Sequence, residues 1–274
     1  MAHANRLANT HILVFGGTSG IGYAIANMAL SYSARVTISG STQEKVDTKV
    51  SQLRSLYPNA PATNIGGFAL NLLDQDNLEA NLKDLLNKAT QNGENKIDHV
   101  AWSAGDRRVL PKLDDATPET VKQMFHVRMV APSILAKLIH THPGTYMPVS
   151  STSSITLTSG TNTHRPLPGW TFAATVGGAT EGLVRGLAVE MKPIRFNTVV
   201  PGAIQTELLQ GMLDVSPVEA VEALKKSFSL LGEFGQPEDI AEAYGWVMRD
   251  RFANGTLVAS DGGRLLTGNE QLGG

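Results

Sequence analysis

Short apolar runs alternate along the chain with longer stretches whose apolar positions recur at helical spacing. The runs Ile12–Phe15, Arg35–Ile38, Ile65–Leu70, Ile97–Trp102, Ser154–Thr158, Ile194–Val200 and Thr256–Ala259 read as strands. Between them the spacing predicts helices over Tyr23–Leu30, Ser41 to about Leu56, Leu72–Ala89, Thr117 to about His140, Trp170–Met191 and Pro237 to about Arg249. A further helix is opened by Ser216-Pro217-Val218-Glu219. Ser41 with Glu44 three positions on reads as a capping box, and Pro118 and Pro237 each suit a first helical position. Gly177, Gly178, Gly182 and Gly186 weaken the helix over 170–191 and predict close packing on the sheet or on a second subunit. The stretch 142–153, rich in Pro, Gly, Ser and Thr, reads as an exposed loop. Strand–helix alternation of this kind implies an α/β fold: a seven-stranded parallel sheet with helices on both faces, in one doubly wound domain over 1–274. Residues 1–10 and 267–274 read as tails. In such sheets ligands bind outside the carboxyl ends of the strands, where the strand order reverses.

The most informative strand end is Phe15-Gly-Gly-Thr-Ser-Gly-Ile-Gly22. A strand enters, a glycine-rich turn reverses the chain, and a helix leaves with its N–H groups and positive dipole end aimed at one spot, which suits a phosphate. Gly16 allows the tight turn, Gly20 lets the backbone approach a pyrophosphate, and Gly22 lets the helix pack close to its strand. The alternative is a glycine-rich loop without a ligand; the strand before it and the helix after it favour a nucleotide.

Bulk properties narrow the field. The 274 residues, 42% of them hydrophobic, suffice for a full α/β core. A net charge of -2 gives no bias toward nucleic acid or membrane. The chain has no cysteine, so disulfides and thiolate chemistry are excluded. The polar stretch 1–10 has no apolar signal region and no run approaches a membrane span, so the expectation is a soluble cytoplasmic protein. The seven histidines do not form a helical pair with a nearby carboxylate, and no metal site is expected.

With these motifs in place the chain resembles a short-chain dehydrogenase/reductase from about His11 to Leu266. The resemblance is carried by 15–22, Asn71 after the third strand, Ser103-Ala-Gly105, the helix residues 125–132, Leu157-Thr-Ser-Gly160, Val200-Pro-Gly-Ala203 with Thr206, and Asp261-Gly-Gly263. It implies a Rossmann fold holding a dinucleotide. The cofactor contacts it implies are Gly16, Thr18, Ser19, Gly20, Ile21, Gly22, Ser39, Ser41, Thr42, Asn71, Leu72, Ser103, Ala104, Gly105, Pro201, Gly202, Ile204 and Thr206. It also implies a homodimer or homotetramer assembled through the helices over 117–141 and 170–191, acting on a small molecule.

The departures bear on the chemistry. Phe15 stands where the family usually has Thr, and Trp102-Ser-Ala-Gly105 where it has Asn-Asn-Ala-Gly. The family's Asn-Ser-Tyr-Lys group is represented only by Ser159. Arg128 takes the place of the asparagine. The places of the Tyr-x-x-x-Lys pair hold Phe172 and Val176, or Ala173 and Gly177 if the register slides by one. Tyr146, in the loop before the fifth strand, is a poor substitute. In the family the tyrosine protonates the developing alkoxide, and general acid catalysis is worth about two to four powers of ten. Ordinary carbonyl reduction is therefore disfavoured.

Three readings remain. An NADPH-dependent reductase acting on an iminium carbon, already cationic, needs no acid. A pocket with the nucleotide as structure could guide a cyclisation or isomerisation. A non-catalytic nucleotide-binding scaffold is the third. A narrower resemblance joins Ser154-Ile-Thr-Leu-Thr-Ser-Gly160, Arg165-Pro-Leu-Pro-Gly-Trp170 and Lys192-Pro-Ile-Arg-Phe-Asn197 to atypical fungal members of natural-product pathways, including the reductase/Diels–Alderases of indole alkaloid pathways. Those enzymes have an arginine matching Arg128 and an aspartate where this chain has Leu167. The resemblance implies a bulky substrate.

Arg128, Ser159 and His164 are the catalytic candidates. Arg128 could contact substrate or developing negative charge; the alternative is a structural ion pair. Ser159 could bond the substrate or cap the strand end. His164, with an ordinary pKa near neutrality, could replace the missing acid or be a solvated loop residue. Leu167, Trp170 and Phe172 form a candidate apolar wall for the substrate, with ordinary core as the alternative for the aromatic pair. Trp102 is unusually bulky for its place. At the end of the second strand, Ser39-Gly-Ser-Thr42 has no carboxylate to bond a ribose 2′-hydroxyl, and Ser39, Ser41 and Thr42 can donate to a 2′-phosphate; the expected cofactor is NADP(H).

Overall fold

The computed structural model describes residues 3–105, 111–214 and 217–266. Its strands are β1 (His11–Phe15), β2 (Arg35–Gly40), β3 (Ile65–Ala69), β4 (His99–Trp102), β5 (Ser154–Thr158), β6 (Arg195–Pro201) and β7 (Leu257–Ser260). They form one parallel sheet in the order β3-β2-β1-β4-β5-β6-β7, so the order reverses between β1 and β4. Strands β1, β4, β5 and β6 are buried along their whole length, as expected of central strands in a parallel sheet covered on both faces. Successive residues of β1 divide between two cores. Ile12 and Val14 pack with α1 (Gly20–Ser31), α2 (Gln43–Leu56) and α9 (Pro237–Arg249). Leu13 and Phe15 pack with α3 (Leu78–Thr90), α5 (Ala131–Thr141) and α6 (Thr171–Glu190).

Several boundaries differ from the sequence expectation for identifiable reasons. Thr42, not Ser41, caps α2, its Oγ1 accepting from Lys45 N at 3.4 Å, because β2 runs on to Gly40. The helix expected from Leu72 begins at Leu78: Asn71 Oδ1 accepts from Leu73 N at 3.1 Å and Asp74 Oδ1 from Asn77 N at 3.3 Å, local bonds that compete with a helical turn. The stretch 142–153 is not simply exposed, since Tyr146, Met147 and Ser153 are buried. The N-terminal stretch is docked: Leu7 lies in the core and Arg6 donates to Arg249 O. The sequence reading missed α7 (Glu207–Leu213). Ser216 lies outside the described residues, and α8 (Val218–Phe228) follows Pro217 directly. No helix among the described residues is long and apolar enough to cross a membrane.

The helix expected over 117–140 has its Thr117 cap and Pro118 start, but it is not uniform. After α4 (Pro118–Met124) the turns widen to π geometry over His126–Val130 before α5 begins. Pro132 explains this: it lacks an N–H and its ring crowds the carbonyl four residues back, which is that of Arg128. Val130 N accordingly reaches Phe125 O, five residues back, at 3.0 Å.

At the opposite end of the sheet from the switch point, His11 and His99 are buried on β1 and β4. A ring nitrogen of His11 bonds Thr37 Oγ1 at 2.8 Å, and one of His99 bonds Ser154 Oγ at 2.9 Å. Burial, with nearby arginine charge as the smaller cause, pushes His11 down to about 4 and His99 down to about 3. Below the ordinary histidine value of about 6.5 the unfolded chain binds protons that the folded chain refuses, so stability falls with pH from there toward about 4. Two such groups give a slope of roughly 2.7 kcal/mol per pH unit, twice the single-group 1.36. Asp98, raised chiefly by burial, takes up its proton above the ordinary carboxylate value and so opposes this fall at its lower end. The urea midpoint is expected to drop steeply between about pH 6.5 and 4.5; a flat profile would mean the rings are hydrated in the fold.

Candidate active site

The carboxyl ends of β1 and β4 meet at the glycine turn. Gly16 has φ +81, and a Cβ there would lie 2.8 Å from Ala104 N. A Cβ on Gly22 would lie 2.1 Å from Gly16 O and 2.5 Å from Ser103 Oγ. Both close approaches leave room only for glycine. Ser103 fastens the two strand ends, its N and Oγ both donating to Phe15 O, at 3.0 and 2.9 Å. Gly16 N and Gly17 N donate to Ser39 O, which ties the turn to β2. Thr18 packs on Gly40, and Thr206 on Gly20, where a Cβ would meet its methyl at 3.0 Å. Gly202 lies against the backbone of Asp261, while Pro201 and Ile204 are buried beside it. Ser19 and Ile21 complete the turn at the start of α1.

The structure thus gathers most of the candidate nucleotide contacts around one crevice. Two differ from expectation. Ser39 is 2% exposed, leaving Ser41 and Thr42 as the hydroxyl-bearing groups in solvent at the start of α2. Leu72 packs its side chain against the core, while Asn71 is exposed beyond β3. An open cleft of about 500 Å³ lies alongside, lined by Gly20, Tyr23, Thr206, Glu207 and Gln210.

The unusual Phe15 and Trp102 are one contact. They are register partners on β1 and β4, and their rings stack at 4.2 Å. Trp102 Nε1 donates to Val127 O at 3.1 Å, and Thr180 Oγ1 donates to Arg128 O at 3.2 Å. Both acceptors lie in the π segment, so Trp102 and Thr180 satisfy carbonyls there, including the one that Pro132 leaves without a helical donor. Together they hold Arg128 over the strand ends. Its Nη1 donates to Thr158 O at 3.1 Å, and a Cβ on Gly105 would lie 2.6 Å from its Nη2. Burial pushes the guanidinium below its ordinary value, though it stays charged. No carboxylate pairs with it among the described residues, which disfavours the structural ion pair.

Ser159 and His164 meet through a residue the sequence reading overlooked. Glu181 Oε1 accepts from Ser159 Oγ at 2.8 Å and lies 3.0 Å from His164 Nε2. The Glu181 side chain is 4% exposed and the imidazole 39%. The only sequence signal for Glu181 was a carboxylate interrupting the small and apolar residues of α6.

The places that the resemblance assigns to lysine are both closed. Val176 is buried. Gly177 is buried under the turn Thr161–Thr163, and a Cβ there would lie 1.8 Å from Thr163 Oγ1. Of the four glycines in α6, this one explains itself by close packing. Phe172 and Leu167 are half-buried and Trp170 is 39% exposed, so the aromatic pair is not ordinary core. Tyr146 is no substitute acid: it is buried away from the site and donates to Asn87 Oδ1. Tyr244 lies beneath the site, bonded to Thr158 Oγ1, and burial pushes its phenol far up, so it stays neutral and walled off. No cluster of metal-ligating side chains occurs among the described residues.

Comparison with known proteins agrees with this geometry. Residues 3–267 match the family described as SDR-like rossmann domain. The short-chain dehydrogenase/reductase malC of Malbranchea aurantiaca is 37% identical over 260 residues, 95% of this chain and 96% of the relative. The short-chain dehydrogenase/reductase fsr5 of Gibberella fujikuroi is 32% identical over 266 residues, 97% of this chain and 98% of the relative. The solved MalC reductase/Diels–Alderase from Malbranchea aurantiaca superposes with a TM-score of 0.87 at 37% identity, covering 96% of this chain and all of that one.

Proposed function

The chain belongs to the short-chain dehydrogenase/reductase family, a family of oxidoreductases, and from that premise we propose that it is an NADP(H)-dependent reductase of a bulky natural-product substrate. The reacting carbon is that of an iminium, and ring closure of the same substrate follows in the same pocket. One observation carries the reading: the tyrosine's place holds Phe172 and the lysine's place the buried Val176, while a side chain at Gly177 would strike Thr163. Reduction of a cationic carbon neutralises charge and needs no acid at that place. The step of ring closure is supported by the relative named reductase/Diels–Alderase and by the apolar wall of Leu167, Trp170 and Phe172.

The residues present fit the dinucleotide. Gly16 and Gly22 let the ends of β1 and β4 and the start of α1 close up into a tight turn, and the α1 N-terminus supplies N–H groups for the pyrophosphate. Ser41 and Thr42 would bond a 2′-phosphate beyond the end of β2, where the stretch 39–42 carries no carboxylate. Bound there, the cofactor supplies hydride. Arg128 orients the substrate from the strand ends, and the exposed Val189 on α6 supports assembly into a homodimer or homotetramer through that helix.

Incubating fungal pathway intermediates with NADPH, NADP+ or no nucleotide tests this. One NADPH oxidised per product is expected; turnover with NADP+ or without nucleotide would overturn the redox reading in favour of a cyclase. The double variant Phe172→Tyr with Val176→Lys is expected to give no gain in turnover. A large gain would mark a degraded ketone reductase.

A further inference from the structure

We propose that Ser159, Glu181 and His164 form a proton-delivery site, in which His164 protonates an uncharged imine nitrogen and Glu181 is the positioning residue that holds it. The inference rests on the reductase reading and deepens it: the substrate is a neutral imine that becomes an iminium inside the pocket.

The order of the three groups decides what they can do. In a hydrolytic triad the imidazole stands between the hydroxyl and the carboxylate. Here the carboxylate is in the middle, with Ser159 Oγ at 2.8 Å and His164 Nε2 at 3.0 Å from the same Oε1. The serine proton is therefore directed at the Glu181 carboxylate and not at the imidazole that activates the hydroxyl in a hydrolytic triad. A carboxylate that is 4% exposed needs hydrogen bonds or a cation, and these two neighbours supply them. With Nε2 engaged by Glu181, Nδ1 is the ring nitrogen left to carry and deliver a proton. The ring is 39% exposed, so solvent can return the proton after each cycle.

Arg128 bonds the carbonyl of Thr158, next to Ser159, and has no carboxylate partner among the described residues, so it opposes the entry of a cation. An uncharged imine enters without that repulsion, and the Glu181 carboxylate then stands beside the cation that proton transfer forms. The step balances. The imidazolium Nδ1–H bond breaks and the imine N–H bond forms. The iminium carbon then accepts a hydride from the reduced nicotinamide, the C=N π pair becomes the amine lone pair, and the nicotinamide is oxidised by two electrons.

Two probes and two variants test it. Dihydroisoquinoline is a neutral cyclic imine, and its N-methyl derivative is a permanent cation of nearly the same shape. In His164→Gln and in the isosteric Glu181→Gln, the ratio of imine to cation reduction rates with NADPH is expected to fall about 100-fold. Loss of packing would lower both rates and leave the ratio unmoved, so an unchanged ratio in both variants overturns the inference while the reductase reading stands. A second measurement needs no nucleotide. Isoquinoline, an unreactive aromatic base, absorbs differently once protonated. Bound to the wild-type protein at neutral pH it is expected to show the cation spectrum, and with His164→Gln the neutral one. A neutral spectrum on the wild type, or no binding, overturns proton delivery whether or not any reduction occurs.

Discussion

Arg128→Ala is expected to lower turnover of the reductive reaction by about two to three powers of ten, the usual cost of removing one preorganised donor from a reacting centre. NADPH affinity, read by nucleotide fluorescence, is expected to change by no more than a few-fold. The physical reason is placement. The guanidinium is held at the ends of β4 and β5, against Gly105 and the carbonyl of Thr158, and not in the glycine turn. Its removal costs the fold one hydrogen bond to that carbonyl, worth roughly 1.5–3 kcal/mol for a charged donor. Equal losses in turnover and nucleotide affinity would instead make Arg128 a structural residue.

Arg195→Met is expected to be the most destabilising single change away from the site. Arg195 is 2% exposed on β6 and donates to Ser151 O and Val247 O at 2.7 Å, and to Met248 O and Ala253 O at 3.1 Å. Two of these carbonyls belong to the last turn of α9, whose final acceptors have no helical donors. The arginine therefore caps that helix from the sheet and ties it to the segments before β5 and β7. Methionine fills similar volume but leaves the carbonyls of Ser151, Val247 and Met248 without this donor, while Ala253 O keeps the amide of Asn197. The expected loss is roughly 3–5 kcal/mol, a large part of the 5–15 kcal/mol of a typical domain. Urea unfolding would measure it, and a loss below about 1 kcal/mol would mean that water reaches those carbonyls.

The sequence alone determined the α/β alternation, the number of strands and the phosphate-binding turn. These were legible because strand and helix periods and turn glycines are local: each is written in residues adjacent along the chain, and the strands were found within two residues of their place, although one helix began six residues late and α7 was missed. The departures at Phe15, Trp102, Phe172 and Val176 were also legible, but only as oddities. Packing between distant residues gave them meaning. Phe15 and Trp102 became one stacked pair only when β1 and β4 were paired, and Gly177 became a closed lysine site only when Thr163 was laid on it. Pro132 could have been read as a break, yet what fills the freed carbonyl of Arg128 is Thr180, 52 residues away. Glu181 was legible only as a carboxylate among small and apolar residues, because a carboxylate on a helix is ordinarily solvated. Its burial, and its two bonds to residues 22 and 17 positions earlier, exist only in the tertiary structure. Local periodicity thus specified an α/β sheet with a glycine-rich turn at its switch point, while side chains brought together by the sheet order decided that Ser159, Glu181 and His164 form one cluster and that Arg128 stands at the ends of β4 and β5.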